Sequence, residues 1–138
     1  MFHSLFARRP RSQLIGAILL TCTLAACGPG IVESIGFGTG GKTECKIVNP
    51  ASTFAAGSSV QFVAEFQPAL PAGDTVKITV SRDGNDLTDL SGSVKLDKAQ
   101  DCIYGGWANL AVGHYHVLVA PGADANMPPI DADFAVTP

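Results

Sequence analysis

The chain moves between two hydrophobic patterns. From Leu14 to Leu24 it is almost continuously apolar, whereas from Val60 onward apolar residues recur at every second position. Val60, Phe62, Ala64 and Phe66 alternate with Gln61, Val63 and Glu65, and Val76, Ile78 and Val80 alternate with Lys77, Thr79 and Ser81. A period of two sends successive side chains to opposite faces, so both stretches predict half-buried strands. Pro68, Pro71 and Gly73 punctuate a loop between them, and Asp83-Gly84 predicts a tight turn leading into a short strand at Leu87–Leu90. Further short strands are expected at Val94 and Leu96, over Cys102–Trp107 with a break at Gly105-Gly106, at Tyr115, Val117 and Val119, and at Ala132, Phe134 and Val136. About seven short strands without an amphipathic helix predict an all-β, antiparallel sandwich, with Trp107 in its core.

The early apolar run is a different object. Arg8, Arg9 and Arg11 precede it and the small residues Ala25 and Ala26 follow, which is the layout of a secretory signal. Leu14–Ala26 falls short of the roughly 20 residues a helix needs to cross a bilayer, so cleavage is expected rather than a permanent transmembrane anchor. Leu24-Ala25-Ala26-Cys27 resembles the lipobox of bacterial lipoprotein signal peptides. That resemblance implies removal of residues 1–26, a diacylglyceryl thioether on Cys27 and a further acyl chain on its amine. Several acyl chains, at about 0.8 kcal/mol per buried CH₂, hold a domain on a membrane stably. Gly28 in place of the Asp that marks inner-membrane retention in enteric bacteria implies the outer membrane in a host that has one. The alternative is an ordinary signal cut at Ala26 with Cys27 as a plain thiol.

Cleavage changes what composition means. The mature chain, 27–138, has 112 residues, enough for one domain. Its six Lys and Arg stand against all twelve Asp and Glu, a formal charge of −6, and no basic patch interleaved with aromatics is present. Nucleic acid is therefore excluded as a partner. Cys22 leaves with the signal and Cys27 takes the lipid, so Cys45 and Cys102 remain as an even pair in an oxidising setting and are expected to form a disulfide. Residues 27–43, the lipidated cysteine and a Gly-rich stretch including Gly36, Gly38, Gly40 and Gly41, are expected to be a flexible tether ahead of a domain at 44–138.

The segment Leu110-Ala-Val-Gly113-His-Tyr115-His-Val-Leu-Val119 resembles the start of strand F in immunoglobulin-like domains, where a Gly turn is followed two residues later by a tyrosine corner. The resemblance implies an immunoglobulin-like β-sandwich. It departs from the antibody pattern because no Cys follows Tyr115 by two residues, which implies that the disulfide pins the first strand to the region before Trp107.

Candidate chemistry is sparse. His114 and His116 flank Tyr115 and share a strand face, so they could supply half of a Cu or Zn site. Asp83, Asn85, Asp86 and Asp89 begin like an EF-hand loop, but Thr88 and Val94 occupy the positions that need Gly and an acid, so a hairpin turn with solvated acids accounts for them better than Ca²⁺. Asp131 and Asp133 should face outward beside Ala132. No nucleophile-elbow pattern or spare thiol points to an enzyme. The expectation is a membrane-anchored module that binds an envelope protein or glycan, through sheet faces or the loops 67–74 and 120–130, with Cu/Zn handling by His114 and His116 as the alternative.

Overall fold

The structure is a computed structural model of the chain that describes residues 32–39, 45–122, 125 and 127–138. Cys27 and the leader before it lie outside the described residues. The fold is all-β: β1 (Val32–Gly38), β2 (Thr53–Ala55), β3 (Val60–Leu70), β4 (Thr75–Arg82), β5 (Asn85–Asp86), β6 (Gly92–Lys95), β7 (Gln100–Trp107), β8 (Gly113–Ala120) and β9 (Ile130–Thr137). Two sheets form, one in the order β1-β3-β7 and the other in the order β2-β9-β8-β4-β5, with β6 also on β4. All pairings are antiparallel except that of β2 with β9.

The alternating positions fill the space between the sheets. Val76, Val80, Val117 and Val119 are fully buried from one sheet, and Phe62, Ala64, Phe66 and Ile103 are buried from the other. A column of rings crosses the interior. Phe62 stacks on Trp107 at 5.0 Å between centroids, Trp107 on Phe134 at 6.1 Å, and Phe134 on Tyr115 at 4.9 Å, with Phe37 and Phe54 closing on Phe134 from the sides. Trp107 is half-buried and packs against the core rather than lying within it, and its indole N–H donates to the Leu90 carbonyl at 3.0 Å. Aromatic pairs in offset contact add about 0.5–1.5 kcal/mol each beyond burial.

Three expectations need correcting. The glycine-rich stretch is not all tether, because Val32–Gly38 forms β1 along β3, from Val32 opposite Gln67 to Gly38 opposite Gln61. Its glycines serve close approach. A Cβ on Gly36 would meet Ile47 at 3.1 Å, and one on Gly38 would run into the Val48 carbonyl oxygen, so the bare backbone lets residues 47–48 lie against the strand. The expected strand at Leu87–Leu90 is a turn instead, in which Leu90 N–H donates to the Leu87 carbonyl while both leucines pack on the core. Ser91 Oγ donates to the Leu87 carbonyl at 2.7 Å and accepts from Val80 N–H at 2.9 Å, fastening that turn to β4. Finally, Cys45 is not on the first strand but in the segment between β1 and β2.

The Asp83-Gly84 turn is as expected. Arg82 pairs with Asn85 across it, and both central residues have positive φ, 50° and 83°, the conformation of a two-residue type I′ hairpin.

The strands give the molecule two unlike ends. At one end lie the start of β1, the turn 71–74, residues 96–99, residues 121–122 and residues 127–129. The other end holds the end of β1, residues 56–59, the 83–84 turn and residues 108–112. The first end is laced together by Asp74. Its buried carboxylate accepts from Gly122 N–H at 3.0 Å, its carbonyl accepts from Leu96 N–H, and the Leu96 carbonyl accepts from Gly73 N–H.

Candidate functional site

β8 positions the two histidines. Tyr115 points into the core at 1% exposure, so its neighbours His114 and His116 point out, as the alternation requires. Tyr115 Oη donates to the Ala111 carbonyl at 2.8 Å, the backward hydrogen bond expected of a tyrosine corner. A Tyr115→Phe variant keeps the ring stack and loses this bond. It is expected to cost about 1 kcal/mol in denaturant unfolding, the net worth of a typical intramolecular hydrogen bond.

Register determines what surrounds His116. On one side it lies opposite Ser81 of β4 and on the other opposite Asp133 of β9. Its Nδ1 is 2.7 Å from Asp133 Oδ1 and its Nε2 is 3.9 Å from Asp131 Oδ2. A carboxylate only accepts, so the Nδ1 contact requires an N–H there and leaves Nε2 with the lone pair in neutral imidazole. Protonation would give both aspartates a cationic partner. All three side chains are at least 46% exposed, which screens the interaction. A His116→Ala variant is expected to shift stability by no more than about 1 kcal/mol, read as a denaturation midpoint.

His114 belongs to the turn side of the same surface. Asp83 N–H donates to the His114 carbonyl at 2.9 Å, and Asp83 Oδ1 accepts from His114 N–H at 3.0 Å. These reciprocal bonds fix the hairpin turn against the start of β8, and Asn85 Nδ2 donates to the Asp83 carbonyl. The oxygen-rich cluster at 83–89 thus serves the turn in part. Together Ser52, Ser81, Asp83, His114, His116 and Asp133 border an open depression of about 660 Å³ on the outer face of the larger sheet. Among the described residues, no three or more His, Cys, Asp or Glu side chains converge in an arrangement that could hold a metal ion.

Sequence reasoning placed the histidines on a common face and the aspartates outside, but not the two together. That junction depends on the β8–β9 register, and the nine residues joining those strands are too many for the Pro121-Gly122 turn signal to fix it. Cys45 and Cys102 lie at disulfide distance, with Cα atoms 6.0 Å apart. Glu65, Gln67 and Asp101 line a second depression of about 440 Å³ beside them.

No protein-family model matches the chain, and no curated protein matches it. Among solved structures it is similar to a superoxide reductase (neelaredoxin) from Ignicoccus hospitalis, at 10% identity and a TM-score of 0.46, over 63% of this chain and 76% of that one.

Proposed function

We propose that the protein is a lipid-anchored lipoprotein of the bacterial cell envelope. Its immunoglobulin-like domain acts as a binding or structural module for an envelope protein or glycan. The domain assignment is supported by strand order: β1-β3-β7 against β2-β9-β8-β4, with β2 parallel to β9, is the arrangement of strands A, B and E facing A′, G, F and C. The tyrosine hydrogen bond at the start of β8 falls on strand F of that scheme.

The single observation that carries the binding reading is the open depression around Asp83, His114, His116 and Asp133. It presents imidazole, carboxylate and hydroxyl groups around a largely apolar floor that includes Tyr115, Phe134 and Ala135, a layout suited to docking a partner with both apolar and polar groups. Crosslinking in whole cells tests it: reproducible recovery of the same partner, lost when His114 and Asp133 are both replaced by alanine, is the expected result. Recovery of no partner, or of one indifferent to that replacement, would contradict it.

A second reading, Cu or Zn handling, has one observation in its favour. Asp133 on Nδ1 orients the His116 ring with Nε2 beside the Asp131 carboxylate, the carboxylate-backed posture of a ligating histidine. Titration of the purified domain with Cu²⁺ and Zn²⁺ tests it, and binding unchanged in the His114→Ala/His116→Ala double variant would exclude this site.

A further inference from the structure

The position of β1 says which way an anchored domain faces. Val32 begins the first strand, so only four residues, 28–31, separate Cys27 from folded structure. Fully extended, the five steps from Cys27 to Val32 reach at most about 18 Å. Val32 lies at the end of the molecule formed by the turn 71–74, residues 96–99, residues 121–122 and residues 127–129, since it pairs with Gln67 near the close of β3. The opposite end is a long strand away, roughly 36 Å for the eleven residues of β3. A connector of that length cannot invert the domain on its anchor.

Resting on the proposed lipidation of Cys27, we infer that the β1-start end sits against the lipid surface. The end carrying residues 56–59, the 83–84 turn and residues 108–112 then faces away from the membrane and is open to partners. The connector alone sets this polarity, since both ends expose small uncharged residues, Pro68, Ala69 and Ala72 at the near one and Ala56, Ala108, Ala111 and Val112 at the far one. A domain lying flat on its larger sheet would instead press Asp131 and Asp133 toward a surface that is commonly anionic. Asp74, which ties the 71–74 turn to Gly122 of the following loop and to Leu96, makes the near end a firm platform.

The inference also sorts the candidate contact surfaces. The described residues of the loops 67–74 and 120–130, the docking loops expected from the sequence, become the membrane side. The depression beside Asp83 and His114 lies toward the outer end, where Asp83 and Gly113 sit at strand termini.

Single cysteines test the orientation, because an introduced thiol would be the sole free one: Cys27 would carry lipid and Cys45 would be paired with Cys102. The full lipoprotein is processed in cells, purified, and reconstituted in vesicles of phosphatidylethanolamine and phosphatidylglycerol bearing a headgroup nitroxide. A fluorophore is placed at Ala72→Cys or Ala99→Cys at the near end, and at Ser59→Cys or Ala111→Cys at the far end. Quenching several-fold stronger at both near positions than at both far positions is the expected result. Equal quenching at the two ends, or stronger quenching at the far end, in protein that floats with the vesicles would overturn the orientation while leaving the anchor intact. Protein that does not float with the vesicles would overturn the anchor, and the orientation with it.

Discussion

Replacing Phe134 by alanine is expected to destabilise the domain by about 3–5 kcal/mol, the range for deleting a large buried aromatic. Phe134 is 3% exposed and its ring touches those of Phe37, Phe54, Trp107 and Tyr115, which come from five different places in the chain if its own strand is counted. Phe37 and Trp107 belong to the smaller sheet, and Tyr115 and Phe54 to the larger. Removing the ring therefore leaves a cavity where the two sheets meet, and four rings lose a partner at once. Single domains of this size are stable by roughly 5–15 kcal/mol, so the variant should sit near the edge of folding at body temperature. Urea denaturation of the soluble domain checks it. A loss below about 1 kcal/mol would mean that the rings do not carry the contact between sheets.

Removal of the Cys45–Cys102 link is the second large effect. A bridge over a separation of 57 residues restricts the unfolded chain, and on the chain-entropy account it contributes about 4 kcal/mol. The link joins the segment between β1 and β2 to β7, which has only one strand neighbour among the described residues. A Cys45→Ala/Cys102→Ala variant should therefore unfold at markedly lower denaturant while keeping the far-ultraviolet spectrum of a β protein. Intact mass of the native protein should fall two hydrogens short of the reduced mass. Equal masses with and without reductant would show that no bridge forms.

Much of this fold could be read along the chain, because burial on one face of a strand writes itself as alternation. Val76, Ile78 and Val80, then Tyr115, Val117 and Val119, gave β4 and β8 directly, and Asp83-Gly84 gave the turn. Failures occurred where another force replaced that rule. In β1 the glycines that suggest coil are demanded by the close approach of Ile47 and Val48, a tertiary cause with no local signature. β2 is three residues long and paired in parallel, too short for any period to show. Leu87 and Leu90 read as strand residues because they are apolar, yet they enter the core from a turn. For the candidate site, outward-facing His114 and His116 follow from Tyr115 pointing inward. The clasp of His116 by Asp131 and Asp133 required the register of β8 on β9.

Membrane attachment through Cys27, as proposed, is read in the mass of the amino-terminal peptide of the protein extracted from cell membranes. The expected peptide starts at Cys27 and carries the added mass of diacylglycerol and a further acyl chain. A peptide that starts at Cys27 with no acyl mass, or that retains residues before it, would show that the module is not lipid-anchored there.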